Sequence, residues 1–441
     1  MKDLPSIPRY EVLRNRRTIL KNPLPFHHHY FQKYGDTFRI NLGRRNDWVF
    51  TRNAESIRHI LQKNHKSYGK SSFQTKELAK YIGHGLLTSN GEFWRVHRRM
   101  IQPAFHRKKL EGLLGTMYNA ITTELNRVQV NSEQDIFPLM GDLAFQVVAK
   151  SLFSADNIRD RMQRLKEITI TNQKMLIKEM RMPYLNWWFH LNGDIRRHLR
   201  LSAEARHLIN GIVQERLDSN EKKNDLLDML LDARYEDGTH MPRQQLIDEV
   251  MVLFTAGHET TANALSFTSM LLARHPKIQQ RLYREVKDID FEKGNNIHAL
   301  AQLPYTQQCI EESMRLYPPV YFMDRVSLAE DTLEGHVFKK GTVWLMSIYE
   351  LHRHVDFWEN PDQFVPERFA PDDKKDFSGH YFPFGAGPRM CVGNNFAMYE
   401  MLMTIAFLVK KYRLSTTKKI KVHPLISLKP KEADIKFIVR T

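Results

Sequence analysis

The feature that most constrains the fold of this chain is a long apolar stretch from Met251 to Ala273. A helix that is apolar on all sides has to be buried, either in a large protein core or in a membrane. This is the one stretch that resembles a membrane span, but His258, Glu259 and Asn263 interrupt it. Charged groups at mid-membrane are costly and rare. We therefore expect a long core helix from about Pro242 to His275, which ends before the following proline.

The remaining sequence predicts a mainly α-helical fold with a small β region. The chain has 441 residues, of which 42% are hydrophobic and 26% charged, a composition typical of a globular protein. It is long enough to enclose a ligand. No linker rich in Ser, Gly or Pro divides it, so we expect a single domain over residues 1–441. Its β-rich parts should lie at about 30–65 and 325–350, packed on the helical body.

Local patterns predict individual elements. A β-hairpin is expected over 36–51, since two strand-like runs flank a polar turn. Helices are expected over Lys108–Val130, over Asn157–Leu217 with breaks near 182–183 and 192–193, and over Gly393–Tyr412.

Charge and cysteine content narrow the class of function. The net charge is +16, but the basic residues are spread along the chain and no nucleic-acid-binding motif accompanies them. An acidic protein partner is the preferred interpretation, and a solvated surface is the alternative. Cys309 and Cys391 are the only cysteines, which is typical of a reducing compartment and indicates the cytoplasm. A disulfide between them stays open. The N-terminal 25 residues contain no apolar run that would serve as a signal or transmembrane anchor.

One cysteine lies between a glycine-rich segment and a helix start. The segment reads Phe384-Gly-Ala-Gly-Pro-Arg-Met-Cys391-Val-Gly393. Because N–H groups at a helix N-terminus stabilise an anion, we expect an acidic thiol that can bind a metal as a thiolate. Gly385 and Gly387 permit turns that other residues resist, and the Arg389 guanidinium suits a carboxylate. No second ligand lies at zinc spacing, so the alternative is a buried structural cysteine.

This segment resembles the haem-binding signature of the cytochrome P-450 family, Phe-x-x-Gly-x-x-x-Cys-x-Gly with an Arg two residues before the Cys. The resemblance implies haem b as the cofactor and Cys391 as the axial ligand of its iron, a ligand that favours O–O bond cleavage. It also implies that Phe384, Arg389 and Gly393 belong to the cofactor site. The implied fold is a helical prism with a small β region, with haem between the long helix and the last helix.

A second segment, Glu312-Ser-Met-Arg315, resembles the family's Glu-x-x-Arg pair. By itself the spacing predicts only a surface ion pair. The same spacing also occurs at Glu11, Glu55, Glu92, Glu124 and Glu350. What strengthens the resemblance is the downstream Pro366-Glu-Arg-Phe369, which implies that Arg368 completes a buried structural triad. Such a triad stabilises a fold only if every charge is paired.

Inside the long helix, Ala256-Gly-His-Glu-Thr-Thr261 resembles the family's oxygen-activation motif. The resemblance implies that Ala256 lies at the haem and that Thr260 and Glu259 deliver protons during catalysis. The alternative is that Thr260 hydrogen-bonds a backbone carbonyl and Glu259 pairs with a cation. His258 is expected to be a packing residue.

Trp94-Arg-Val-His-Arg98 resembles the family's Trp-x-x-x-Arg segment. Residues four apart share a helix face, and the resemblance implies that Trp94 and Arg98 both contact a haem propionate. Arg325 resembles a further propionate contact, and His97 is a weaker candidate. The alternative is an amphipathic helix with Trp94 in the core.

By family position, a set of aromatic and polar residues is predicted to line the substrate pocket. These residues are Tyr68, Phe73, Gln74, Leu87, Thr255, Val320, Tyr321 and Phe322. With Lys70 nearby, their mixed character leaves two substrates open: a fatty-acid-like lipid, which prefers a drier channel, and a small oxygenated molecule such as a methylated sugar. Elsewhere, His27-His28-His29 is expected to be a solvated run rather than a metal site.

The resemblance implies a soluble, monomeric bacterial monooxygenase that inserts one oxygen atom from O2 into a C–H bond, by hydroxylation or oxidative O-demethylation. Electrons are expected from a separate acidic ferredoxin or flavodoxin with its reductase. The predicted docking surface is basic and comprises Arg98, Arg99, Arg107, Lys108 and Lys109. The competing interpretations are a peroxide-driven enzyme on the same fold, a non-enzymatic haem sensor and, from charge alone, a nucleic-acid-binding protein.

Overall fold

Helices make up most of the molecule. The computed structural model describes residues 4–40, 48–154, 159–219, 221–291, 296–371 and 377–440. In chain order the helices are α1 Arg9–Arg14, α2 Arg16–Lys21, α3 Leu24–Tyr34, α4 Ala54–Arg58, α5 Ala79–Ile82, α6 Gly91–Ile101, α7 Arg107–Glu111, α8 Leu114–Leu125, α9 Ile136–Phe153, α10 Arg159–Arg181, α11 Asn186–Leu191, α12 Asp194–Ser219, α13 Leu226–Leu231, α14 Arg243–Arg274, α15 Pro276–Val286, α16 Asn296–Ala301, α17 Pro304–Leu316, α18 Ile348–Leu351 and α19 Asn394–Lys411.

The strands are short and form one larger sheet with three small ones. They are β1 Ser6–Ile7, β2 Thr37–Ile40, β3 Trp48–Thr51, β4 Tyr68–Gly69, β5 Glu133–Asp135, β6 Phe322–Ser327, β7 Asp331–Leu333, β8 His336–Phe338, β9 Val343–Ser347, β10 Tyr412–Ser415, β11 Lys421–Pro424, β12 Leu428–Lys431 and β13 Asp434–Val439. The larger sheet has the order β1-β2-β3-β9-β6-β4. It joins the two regions that the sequence predicts to be β-rich, although the first of them also contains helical turns.

The long apolar stretch forms the central helix, as predicted. Helix α14 begins one residue after Pro242 and ends one residue before His275. It packs against α9, α12, α17 and α19, and almost every residue from Ala262 onward is buried. The core of the molecule is therefore built around this helix, and its apolar character is explained by neighbours on all sides.

Several predicted boundaries are confirmed and one is wrong. The strands of the hairpin pair antiparallel, with Thr37 opposite Thr51, while its turn lies outside the described residues. Helices α10 and α12 end and begin at the two predicted breaks. The helix predicted over Lys108–Val130 is instead split into α7 and α8, since the chain turns at Gly112, whose N–H donates to the carbonyl of Lys109.

The sequence singled out the wrong stretch as the one that resembles a membrane span. Among the described helices, Ile136–Phe153 is the one long and apolar enough to cross a bilayer by composition, and 61% of it is buried inside the molecule. Its partner is α14, against which it makes the most extensive helix–helix packing. Its apolar surface is thus used in the core.

Candidate functional site

The loop before Cys391 is held by two glycines and a backbone hydrogen bond. Gly385 and Gly387 have φ angles of 74° and 68°, in the left-handed region that suits glycine. A Cβ atom at Gly387 would lie 2.0 Å from the carbonyl oxygen of Leu61, so no larger residue fits. The N–H of Cys391 donates to the carbonyl oxygen of Phe384 at 2.9 Å. The loop thus presents Cys391 in a fixed position just before α19.

The Cys391 side chain is exposed, yet enough protein surrounds it for burial to raise its pKa. The two observations agree if the sulfur faces a space inside the protein. A backbone N–H of Gly393 and the charge of Arg98 lower the pKa of the thiol, but by less than burial raises it. Burial therefore outweighs the helix N-terminus, from which the sequence predicts an acidic thiol. A coordinated metal cation would deprotonate it.

The alternative of a disulfide is excluded by position. Both cysteines are free, and Cys309 is buried in α17. Cys391 is accordingly available as a ligand.

Two arginines lie in the interior near Cys391 and form no salt bridge within the described part of the chain. Arg325 is 8% exposed. Arg389 stacks on the ring of Trp94, 5.2 Å from its centroid, and its Nη1 donates to the carbonyl oxygen of Tyr68 at 2.9 Å. Its Nε is buried without a partner. Burial, together with the charge of Arg325, lowers the pKa of Arg389 to about 10.

Two desolvated cations that repel each other call for an anionic ligand. A haem carries two carboxylates, so the arginine pair, the Trp94 ring and the Cys391 sulfur together fit its chemistry. The donor set is thus suited to this cofactor at both its iron and its propionates.

The other two predicted propionate contacts have different partners. Nη1 of Arg98 donates to the carbonyl oxygen of Met390 at 2.8 Å, which places Arg98 against the Cys391 loop. His97 is turned away from that loop: its Nδ1 lies 3.1 Å from Oε1 of the fully buried Glu249. Its Nε2 lies 3.3 Å from the hydroxyl of Tyr235. His97 as a propionate ligand is therefore a wrong prediction.

Helix α14 is partly accessible around Ala256 and Thr260. Leu253, Ala256 and Thr260 share one face and are partly accessible, while Phe254 and His258 are buried. Gly257 faces α9 instead, since a Cβ atom there would lie 3.2 Å from the side chain of Val148. Residues spaced by three and four share a helix face. Nδ1 of His258 binds the carbonyl of Phe254 at 2.9 Å, which confirms that His258 is a packing residue.

Both side chains of the predicted acid–hydroxyl pair have protein partners. The Thr260 hydroxyl donates to the carbonyl oxygen of Ala256 at 2.9 Å. Glu259 accepts from Lys429 Nζ at 3.1 Å and from the Ser427 hydroxyl. Burial acts to raise the pKa of Glu259, but Lys429 and Ser427 outweigh it and leave the pKa lowered. These contacts are the ones expected from the alternative interpretation, a hydroxyl on a backbone carbonyl and an acid paired with a cation. They also leave Glu259 ionised near the accessible face of α14.

The Glu312 triad forms as the resemblance implies. Arg315 Nε lies 2.7 Å from Glu312 Oε2, with both side chains 0% exposed, and Arg368 Nε lies 3.3 Å from Glu312 Oε1. The remaining donors of Arg315 bind the carbonyls of His352, Pro361 and Gln363. The triad thereby ties α17 to the coil that precedes the Cys391 loop.

Several predicted pocket residues have other roles. Tyr68 is fully buried in the β region, and its hydroxyl donates to Asp331 Oδ2 at 2.8 Å, so its assignment to the pocket is wrong. Gln74 donates to Asp324. Tyr321 donates to the carbonyl oxygen of Leu425 at 2.7 Å. Phe322 packs edge-on against Phe50.

The remaining candidates are apolar or lack a partner. Phe73 packs with an apolar cluster that includes Tyr81, Leu176 and Val252. Leu87 and Val320 are exposed, at 37% and 38%. Thr255, on α14, is buried, and its hydroxyl has no partner among the described residues.

A thiol loop, paired interior arginines and a central helix with one accessible face define a haem-thiolate protein. Comparison with known protein families and structures leads to the same class of protein. The family model described as Cytochrome P450 matches residues 5–437, and the chain belongs to that family. Members bind haem b through a cysteine thiolate and oxidise small-molecule substrates with electrons from redox partners.

Relatives of known name cover most of the chain. Cyclooctat-9-en-7-ol 5-monooxygenase of Streptomyces melanosporofaciens is 30% identical, over 86% of this chain and 83% of its own length. Cytokinin hydroxylase of Arabidopsis thaliana is also 30% identical, over 94% and 82%. Among solved structures, the cytochrome P450DA haem domain has a TM-score of 0.87 at 21% identity and covers 100% of this chain and 98% of that chain, which shows the shared fold. The chain is thus a cytochrome P450 monooxygenase.

Proposed function

We propose that this protein uses O2 to hydroxylate a largely apolar small molecule, with Cys391 as the iron ligand and Arg325, Arg389, Trp94 and Arg98 around the cofactor carboxylates. When bound, the haem supplies oxygen activation. The observation that carries the proposal is the accessible face of α14, where Thr260 stands beside an ionised Glu259.

Glu259 and Thr260 have complementary roles in proton delivery. Because the Thr260 proton is committed to Ala256, its oxygen is left to accept a hydrogen bond and so to hold a proton donor, such as water, in the groove. Glu259 forms a salt bridge with Lys429, whose side chain is 20% exposed. This contact connects the groove to the solvent side of the β11–β12 hairpin, and Glu259 can be reprotonated along it.

Replacing Thr260 by Ala tests this role, and the next residue is a matched control. Thr261 makes the same back-bond, to the carbonyl of Gly257 at 3.0 Å, but it is buried. Since a positioned proton-transfer group contributes about 10²–10⁴-fold, we expect Thr260→Ala to lower product formation at least about tenfold, with O2 reduced to hydrogen peroxide instead. Thr261→Ala should keep O2 use and product coupled.

Measurements of O2 consumed, peroxide released and product formed in the two variants show whether Thr260 takes part in proton delivery. Equal coupling in the two variants would remove Thr260 from the mechanism. Product formed from peroxide alone at the O2-dependent rate would instead favour the peroxide-driven alternative.

The protein contacts of the predicted pocket residues favour an apolar substrate over a methylated sugar. Gln74, one of the two groups that made a sugar plausible, donates to Asp324. The side chains near Phe73 are apolar, and the buried hydroxyl of Thr255, on α14, has no partner among the described residues. A relative named for an apolar alcohol, cyclooctat-9-en-7-ol, is consistent with one hydroxyl contact in an apolar pocket.

Substrate class is tested by titrating the haem protein with a long-chain fatty acid, a cyclic hydrocarbon alcohol and a methyl galactoside while following the spin-state shift of the Soret band. We expect the first two to produce the shift at micromolar concentration and the galactoside to produce none. A shift with the sugar alone would reverse the assignment.

Electron supply by an acidic ferredoxin or flavodoxin is proposed from the position of the basic residues. A Cβ atom at Gly393 would lie 3.7 Å from the ring of Phe105, so the turn that precedes α7 touches the Cys391 loop. Lys108 and Lys109 on α7 are exposed and complement an acidic partner on this side. We further infer a monomer in the cytoplasm, consistent with two free cysteines.

A further inference from the structure

A cleft of about 550 Å³ lies where the central helix α14 and helix α17 both end. We call it the α14–α17 cleft, and its walls are residues 271–275, 316–317, 362–364 and 419–420. Its volume is in the range of small-molecule sites, about 300–1,000 Å³. The C-terminal end of α14 is about 21 Å along the helix from Thr260, at 1.5 Å per residue. The cleft is therefore separate from the accessible face of α14 and from the chemistry proposed there.

Two basic side chains of the cleft form no salt bridge within the described residues. Nη1 of Arg274 donates to the carbonyl oxygen of Lys418 at 2.6 Å, which places Arg274 beside Lys419. Both Arg274 and Lys419 are exposed. The acid that lines the cleft does not neutralise them, because Oδ1 of Asp362 is 3.3 Å from Nε of Arg353. Basic residues are common in the last turn of a helix, which accounts for Arg274 but not for Lys419.

Two uncharged side chains of the cleft also have polar atoms without a partner in the described part of the chain. Nδ1 of His275 donates to the carbonyl oxygen of Leu271 at 2.8 Å, which leaves its Nε2 free. The Tyr317 hydroxyl forms no hydrogen bond among the described residues, and its side chain is partly accessible. The ring of Tyr317 is fixed, since it stacks on Phe267 with the centroids 4.6 Å apart. Its hydroxyl is thus a positioned donor.

The floor of the cleft is apolar and one wall is rigid. The apolar side chains are Leu271, Leu316, Phe364 and Ile420, of which the first three are buried. The coil wall is fixed by Arg315, which donates to the carbonyl oxygens of Pro361 and Gln363 at 2.7 and 3.1 Å. A preformed site loses little conformational entropy when a ligand binds.

We propose that the α14–α17 cleft binds an organic phosphate. Its phosphate group lies on Arg274, Lys419 and the Tyr317 hydroxyl, and its apolar body covers the floor. A phosphate monoester carries a charge of about −1.5 to −2 at pH 7, which matches the two unpaired cations, whereas a carboxylate leaves one of them unmatched. This site is independent of the haem chemistry, so its failure would leave the proposed function unchanged.

The test is a calorimetric titration of the haem-loaded protein with 2-naphthyl phosphate. The haem pocket is filled beforehand with 1-phenylimidazole bound to the iron, so that binding there does not contribute heat. We expect 2-naphthyl phosphate to bind at least about tenfold more tightly than inorganic phosphate or 2-naphthoate, because the first lacks the apolar body and the second lacks the matching charge.

Arg274→Gln/Lys419→Gln removes both cations of the cleft. We expect it to weaken the binding of 2-naphthyl phosphate at least about tenfold, since it deletes the charge-assisted hydrogen bonds to the phosphate. Lys339→Gln/Lys340→Gln removes the same charge from two exposed lysines between β8 and β9 and should bind as the wild type does.

Two single variants keep the test decisive if the double variant does not fold. Lys419→Gln removes a side chain that has no protein partner among the described residues, and Tyr317→Phe removes the hydroxyl while it keeps the stacked ring. Each should weaken the binding of 2-naphthyl phosphate and leave the substrate-induced spin shift unchanged.

Three results would overturn the proposal. One is no heat of binding in the wild type with millimolar 2-naphthyl phosphate. Another is equal affinity in the cleft variants and the Lys339→Gln/Lys340→Gln control, which would show that net charge attracts the probe without a site in the cleft. The third is equal affinity for 2-naphthoate and 2-naphthyl phosphate, which would remove the assignment to a phosphate.

Discussion

At the scale of single residues, His27 shows how a polar side chain in a hydrophilic run becomes part of the core. Its ring lies 4.8 Å from that of Phe50 and 5.0 Å from that of Phe322, and its Nδ1 has no partner in the described part of the molecule. The predicted solvated run is therefore wrong at this position. His28 is exposed, as predicted, and its Nδ1 lies 3.0 Å from Oε2 of Glu350.

The burial of His27 predicts an acid-sensitive step in stability. Burial lowers the pKa of His27 from 6.5 to about 3, so the unfolded chain takes up a proton that the folded protein refuses. Stability is lost as the pH falls from about 6.5 towards 3, by at most about 1.4 kcal/mol per pH unit. We expect His27→Phe to flatten the pH dependence of the unfolding free energy between pH 6 and 4, measured by urea denaturation. The exposed His29→Phe should keep the wild-type slope, and an equal slope in all three proteins would contradict this explanation.

At the scale of secondary-structure elements, the same Glu-x-x-Arg spacing gives ion pairs with exposed arginines at three positions and a fully buried ion pair at a fourth. Glu55, Glu92 and Glu124 each pair with the arginine three residues later, and those arginines are 35–58% exposed. The Glu312–Arg315 pair is fully buried. Spacing alone could not separate these pairs. The downstream Pro-Glu-Arg-Phe segment did, because its Arg368 is the third member.

This difference in burial predicts different losses of unfolding free energy when the glutamate is replaced by a neutral residue. Removing one partner of a buried ion pair costs about 3–5 kcal/mol, because the other charge is left unpaired. An exposed pair contributes about 0–1 kcal/mol. We expect Glu312→Gln to lower the unfolding free energy of the haem protein by about 3–5 kcal/mol, and Glu55→Gln by less than about 1 kcal/mol. Similar losses in the two variants would mean that the triad does not hold the Cys391 coil.

Helix boundaries were predictable where the cause is local. Pro242 and Pro276 bracket α14 as the sequence indicates. The break at Gly112 was missed because the apolar periodicity continues through it, and a single glycine inside a helical pattern is often tolerated. The contact of Lys70 with Leu86 and the turn of His97 towards Glu249 were missed for another reason: each depends on a partner distant in sequence.

At the scale of the whole molecule, the site is assembled from segments far apart in the chain. The sequence motifs located the Cys391 loop, the α14 groove and the Trp94 helix, since each carries its own local pattern. Strand β4 comes to the same place without any motif, since the carbonyl of Tyr68 accepts from Arg389. The pocket was the least predictable part, because whether Tyr68 or Gln74 faces a ligand is decided by tertiary contacts.

The salt bridges of the molecule show which of the basic residues predicted for docking stay available to a partner protein. Of the five residues predicted for docking, Arg99 pairs with Glu236 and Arg107 with Glu111, while Arg98 is turned to the Met390 carbonyl. Lys108 and Lys109 form no salt bridge in the described residues. Both are exposed on α7, beside the Cys391 loop.

Reversing both of these charges should therefore slow electron transfer. Complementary charge raises association rates by about 10–10³-fold at low salt. We expect Lys108→Glu/Lys109→Glu to lower the rate of haem reduction by a reduced acidic ferredoxin at least about tenfold, measured by stopped flow, with substrate-induced spin shift unchanged. The effect should shrink as salt is added, because exposed charges are screened over about 10 Å at 0.1 M.

Lys339→Glu/Lys340→Glu provides the matched control, since it reverses two adjacent exposed lysines between β8 and β9. Both double variants lower the net charge by the same amount, so a general attraction between a basic protein and an acidic partner would slow them equally. Slowing confined to the α7 pair places the partner beside the Cys391 loop. Equal slowing would show that net charge steers the encounter and that the docking surface lies elsewhere.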